Sequence, residues 1–173
     1  MRKAISDKLK RDNHLDYSPE QILVSTGAKH SIANIVLTLI NPGDEVVIPA
    51  PYWVSYRAIV QLAEGKVIEI PTTIHNEFKI TPEQLENSIT TKTKLFIFSS
   101  PCNPTGSVYS KAELQALAAI FIKHPQIQVL SDEIYEYINY DSEHHSIASI
   151  PDMKNQTIVV NGFSKGFSMT GIS

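Results

Sequence analysis

Six short runs along the chain are dense in β-branched and aliphatic residues: Ile22-Leu23-Val24-Ser25, Glu45-Val46-Val47-Ile48, Lys66-Val67-Ile68-Glu69-Ile70, Lys94-Leu95-Phe96-Ile97-Phe98, Ile127-Gln128-Val129-Leu130 and Thr157-Ile158-Val159-Val160. Several are apolar almost throughout, the pattern of strands covered on both faces. Between them, apolar positions recur at helical spacing. Ile32, Ile35, Val36 and Leu39 form one stripe, Tyr56, Ile59, Val60 and Ala63 a second, and Leu114, Leu117, Ala118 and Phe121 a third. Ser110-Lys111-Ala112-Glu113 is a capping box that opens the third, and Thr81-Pro82-Glu83-Gln84 opens another helix with Pro at its first position. A further helix is expected over residues 2–11. Strands alternating with helices predict βαβ units and a mostly parallel sheet. Pro and Gly fall between elements, as in Asn41-Pro42-Gly43-Asp44, and no repeat or linker-like stretch interrupts the alternation. One α/β layered domain over residues 1–173 is therefore expected.

Composition narrows the classes of partner. A chain of 173 residues is long enough for one substantial core. The net charge of −3 gives no electrostatic case for nucleic acid or an anionic membrane, so neither is expected as a partner. Cys102 is the single cysteine, which excludes an intrachain disulfide and fits a reducing compartment. The charged start Met1-Arg2-Lys3 lacks the apolar segment of a secretory signal, and no run is long enough to span a bilayer. The expected location is the cytoplasm. The histidines show no ligand spacing, His144-His145 reads as a solvated loop, and no metal site is expected.

In parallel α/β folds ligands bind beyond the carboxyl ends of the strands, so the strand-end loops are where chemistry is sought. After the first run comes Ser25-Thr26-Gly27-Ala28-Lys29, leading into a helix: either an anion site at the helix N-terminus or simple capping by Ser25 or Thr26. Pro51-Tyr52-Trp53 carries the only tryptophan, which is either a packed aromatic or a flat face for a planar ligand. Ser99-Ser100-Pro101-Cys102-Asn103-Pro104-Thr105-Gly106 is a loop fixed by two prolines and a glycine, with Asn103 offering donor and acceptor. Ser131-Asp132-Glu133-Ile134-Tyr135 sets an acid at the end of a buried run. Asn161-Gly162-Phe163-Ser164-Lys165-Gly166 presents a lysine in a small, polar, glycine-bracketed loop. Such a lysine is a nucleophile or Schiff-base former only where its surroundings depress its pKa.

Taken together, Gly27-Ala28-Lys29, Pro51-Tyr52-Trp53-Val54-Ser55-Tyr56, Ser100 through Gly106, Ser131 through Tyr135, and Ser164-Lys165 through Met169-Thr170-Gly171 resemble the large domain of a fold-type I aminotransferase dependent on pyridoxal 5′-phosphate (PLP). The resemblance covers essentially the whole chain and is strongest to the class I aspartate aminotransferase group of bacterial type. It implies a three-layer α/β/α fold around a mostly parallel sheet. By the same resemblance, Lys165 is the catalytic Schiff-base lysine, Asp132 pairs with the pyridine nitrogen, and Asn103 and Tyr135 bind the ring's phenolic oxygen. Trp53 stacks on the ring, Gly27, Ala28 and Lys29 hold the phosphate end, and Ser164 belongs to the same cofactor-binding set. The implied reaction exchanges an amino group between an L-amino acid and a 2-oxo acid, with aspartate and 2-oxoglutarate as the expected pair. The implied full-length protein is a homodimer.

Two departures from the family pattern stand out. Ser173 occupies the position of an arginine that binds the cofactor phosphate, with Ile172 where an aromatic is usual. The family's N-terminal segment, its C-terminal small domain and an antiparallel strand beside Ile22-Leu23-Val24-Ser25 are expected to lie outside this chain, which alone is expected to be inactive. The rival readings are another fold-type I activity, such as an aromatic or alanine aminotransferase or a β-lyase, and a non-catalytic remnant. A nucleotide-binding α/β protein ranks behind both, because no phosphate loop is present.

Overall fold

The computed structural model describes residues 1–140 and 143–172. Five strands form one sheet: β1 (Glu45–Ala50), β2 (Lys66–Pro71), β3 (Thr93–Ser99), β4 (Gln128–Asp132) and β5 (Thr157–Val160). Their order is β2-β1-β3-β4-β5, and every pairing is parallel. The helices are α1 (Arg2–Asn13), α2 (Gly27–Leu39), α3 (Ser55–Leu62), α4 (Pro82–Ser88), α5 (Lys111–Phe121) and the single-turn α6 (Phe163–Gly166).

The strands sort their side chains by alternation, since successive residues point to opposite faces. Val46, Ile48, Leu95, Ile97 and Leu130 pack with Ile32 and Val36 of α2 and with Tyr56, Ile59 and Val60 of α3. Val47, Phe96, Phe98 and Val129 pack on the other side with Leu85 of α4 and with Leu114, Leu117, Ala118 and Phe121 of α5. The result is the expected three-layer α/β/α arrangement, with apolar cores on both faces of the sheet. The expected capping box at Ser110 forms, and the helix start at Thr81 is a second one. Thr81 accepts from the Gln84 N–H at 3.2 Å and Ser110 from the Glu113 N–H at 3.3 Å. No helix among the described residues is long and apolar enough to cross a membrane.

One expected strand is absent. Residues 22–25 are irregular, with Ile22 extended (φ −109°, ψ 122°) after a 3₁₀ turn at Pro19–Gln21. Leu23 and Val24 are 74% and 49% exposed. A β-branched run becomes a strand only by pairing, and among the described residues this one has no ladder partner.

Candidate functional site

The parallel register carries the strand ends to one place. Ser99 at the end of β3 lies opposite Asp132 at the end of β4, and Asp132 lies opposite Val160 at the end of β5. Backbone bonds continue the alignment past the strands: the Ser100 N–H donates to the Asp132 carbonyl at 3.2 Å and the Glu133 N–H to the Val160 carbonyl at 2.8 Å. The loops after β3, β4 and β5 therefore emerge side by side.

Asp132 is the centre of this cluster. It is buried, and its carboxylate accepts two bonds, from the Tyr56 hydroxyl to Oδ2 at 2.7 Å and from the Ile134 N–H to Oδ1 at 3.2 Å. Burial pushes its pKa up to about 6, although both hydrogen bonds pull it down; the neighbouring Glu133 adds to the rise. No cation among the described residues pairs with it, which is an unusual state for a buried carboxylate. The Tyr56 hydroxyl is itself held protonated, chiefly by burial and then by Asp132.

The other expected residues lie on the neighbouring loops and on the start of α2. Asn103 Nδ2 and Tyr135 Oη lie 3.5 Å apart, so the loops after β3 and β4 present two adjacent polar groups. Trp53 sets its ring edge-on to Tyr56, with centroids 5.5 Å apart at 89°. The Lys29 ammonium lies 5.0 Å from the Trp53 ring centroid, which ties the start of α2 to the loop after β1. Thr26, at the cap position of α2, makes no side-chain capping bond. Gly27 and Ala28 open that helix, and Gly27 has φ +78°, a conformation that glycine adopts without strain.

Ser164 is buried and Lys165 exposed on α6, directly beyond β5. A Cβ on Gly166 would meet the Tyr137 ring at 3.0 Å, and one on Gly162 would meet Ile134 at 3.7 Å. The Lys165 turn thus packs against the segment that carries Asp132 and Tyr135, and Gly166 is small because Tyr137 occupies the space. Ser173 lies outside the described residues. Among the described residues, the buried Asn161 amide nitrogen at the exit of β5 has no hydrogen-bond partner.

Two features differ from the sequence reading. Tyr56 reads as a core position in an apolar stripe, yet its hydroxyl is the tightest contact of Asp132; the available signal was a phenol on a buried helix face, which needs a polar partner. His144 does not lie in a solvated loop. Its side chain is 11% exposed and its Nε2 is 3.0 Å from Glu133. Glu133 is buried just past β4 and also accepts from Ser131 and Ser146 at 2.8 and 2.6 Å. A buried carboxylate needs such donors, and His144 is drawn in to supply one. Glu136 comes close to the same pair, but Lys8 and Asn13 of α1 already engage it.

Residues 1–172 match the family model described as "Aminotransferase class I and II". A bifunctional aspartate aminotransferase and glutamate/aspartate-prephenate aminotransferase of Petunia hybrida is 52% identical over 99% of this chain and 36% of its own length. An aspartate/prephenate aminotransferase of Nitrosomonas europaea is 51% identical over 99% of this chain and 44% of its own. Among solved structures, the aspartate aminotransferase of Rhizobium meliloti superposes with a TM-score of 0.96 at 42% identity, covering 98% of this chain and 43% of that one. The chain thus spans less than half the length of the relatives it matches.

Proposed function

The chain belongs to the class I and II aminotransferases, and from that membership we propose that it carries the cofactor-binding face of a PLP-dependent aminotransferase. The observation that carries this reading is the buried Asp132 carboxylate, held by two neutral donors and paired with no cation among the described residues. A protonated pyridine nitrogen is the partner such a group lacks. The remaining donors fit the other ends of the same molecule. Asn103 and Tyr135 suit a ring oxygen. The N-terminal end of α2, opening at Gly27 and Ala28 with Lys29 beside it, suits a phosphate.

When bound, PLP supplies an aldehyde that captures an amino group and a ring that withdraws electrons from the neighbouring carbon. The protein's part is binding, orientation and proton handling. Lys165 would hold the cofactor through its amine and, once that amine is displaced by the amino acid, would hold the proton taken from the amino acid's Cα. Asp132 keeps the ring nitrogen protonated. Trp53 limits the tilt of the ring. The amino group leaves an L-amino acid, which departs as its 2-oxo acid, and a second 2-oxo acid receives it. Aspartate and 2-oxoglutarate are the proposed pair, supported by the names of the relatives. Because two of those names include prephenate, a larger ring-bearing 2-oxo acid is the second acceptor to assay.

Borohydride reduction of the intact protein with bound PLP, followed by peptide mapping, should place the pyridoxyl group on Lys165. A label on Lys29 or any other lysine overturns the assignment.

A further inference from the structure

Tyr56 does more than fill the core beneath the site. It lies at the start of α3, three residues beyond Trp53, and is 2% exposed. Its hydroxyl donates to Asp132 Oδ2 at 2.7 Å. Its ring receives Trp53 edge-on at 5.5 Å and stacks loosely on Tyr52 at 6.4 Å and 24°. The same phenol lines a cleft with Pro51, Ser99, Cys102 and Asn103. One side chain thus touches the acid, the indole and the wall formed by the loop after β3.

The hydrogen bonds around Asp132 define what Tyr56 controls. The Ile134 N–H holds Oδ1 and Tyr56 holds Oδ2. Two donors on different oxygens fix the rotation of the carboxylate, and each oxygen keeps a lone pair for a third donor. The Ile134 bond comes from backbone two residues away and cannot be tuned by sequence. The Tyr56 bond comes from another element, 76 positions earlier in the chain, and it also connects to Trp53. Where aromatic packing alone is needed, phenylalanine would serve. A hydroxyl aimed at a buried carboxylate is a separate feature.

Resting on the functional reading above, we propose that Tyr56 is a positioning residue that orients Asp132 toward a cationic ring nitrogen and couples that contact to the placement of Trp53. Tyr56 itself does not touch the reacting atoms.

The test compares two probes on the intact protein: PLP, and its carbon analogue in which the ring nitrogen is replaced by CH. Dissociation constants for both are measured in wild type, Tyr56→Phe, Asp132→Asn and the double variant. Wild type should bind PLP more tightly than the analogue. Tyr56→Phe should shrink that preference about tenfold, as expected for losing a hydrogen bond to a charged group, while affinity for the analogue stays nearly constant. Adding Tyr56→Phe to Asp132→Asn should change the preference no further, because its target is gone. The double variant removes the hydroxyl donor and the charge of its acceptor at nearly constant shape, so its affinity for the analogue still reports a packing role if Tyr56→Phe alone folds poorly. An unchanged preference in Tyr56→Phe, or equal loss of both probes, overturns the proposal and leaves only a packing role. A wild-type protein with no preference for the ring nitrogen overturns the assignment of Asp132 and this inference together.

Discussion

Asp132 is held ionised only at a cost. Its pKa is pushed up to about 6, from an ordinary value of 3.8, because burial disfavours the charged form more than Tyr56 and Ile134 favour it. The unfolded chain releases this proton at lower pH than the folded one. Between these two values the native state holds more protons, so stability falls as pH rises through the window and the full penalty persists above it. The shift corresponds to at most ~3 kcal/mol. Asp132→Asn should therefore raise the urea midpoint of the ligand-free protein at neutral pH, and the two proteins should converge at pH values below the window. A less stable variant at neutral pH would mean that a cation already compensates the carboxylate. In the sequence Asp132 stands out as an acid at the end of a buried run, whereas its pairing with a ring nitrogen is implied only by the family resemblance. Asn103, Tyr135 and Lys165 were visible on the same ground, as polar groups in the loops where parallel strands end. Tyr56 was hidden because helical spacing classed it with Ile59 and Val60. His144 was hidden because its partner, Glu133, is fixed by strand burial and not by spacing.

At the scale of elements, the strands and helices followed from periodicity wherever a partner was available within the chain. Residues 22–25 show the limit: their composition is that of a strand, but pairing is a tertiary property that composition does not encode. Gln156 shows another kind of hidden element contact. It is buried in the turn before β5, and its Nε2 reaches the carbonyls of Phe121, His124 and Ile127 at 3.0, 2.9 and 2.8 Å. One amide therefore ties the end of α5 to the start of β4 and β5. The Phe121 and His124 carbonyls also accept from the backbone N–H groups of His124 and Ile127, at 2.8 and 3.0 Å. Gln156→Leu should destabilise the fold by about 1–3 kcal/mol, the cost of leaving a buried acceptor unpaired. The turn is at the opposite end of β5 from Lys165, so PLP affinity of the folded variant should match wild type. Unfolding curves together with a cofactor titration check both halves; unchanged stability would show that solvent can replace the amide.

At the scale of the whole molecule, the two cores flanking the sheet are not equivalent. The core under α4 and α5 contains none of the proposed cofactor-contacting residues. The core under α2 and α3 includes Tyr56 and packs against Ala28 and Trp53. Truncations of similar size should therefore separate stability from binding. Leu117→Ala and Ile32→Ala each remove a buried aliphatic side chain, and each should cost ~2–5 kcal/mol through lost burial and a residual cavity. Leu117 lies on α5, so its loss should leave the dissociation constant for PLP unchanged once only folded molecules are counted. Ile32 lies three to five residues beyond Lys29, Ala28 and Gly27 on α2, about one turn away. A cavity there lets α2 shift against α3, which moves the helix end proposed to hold the phosphate and the Lys29–Trp53 contact together. Interiors are packed densely enough that such a shift passes to neighbours and is not absorbed locally. Ile32→Ala should thus weaken PLP binding by about tenfold or more, the scale of one mispositioned charge-assisted contact. The decisive measurement is PLP affinity at a denaturant-free condition where both variants are folded by circular dichroism. Equal weakening in both would show that the sheet transmits a cavity from either side, and that the site is not built on one layer.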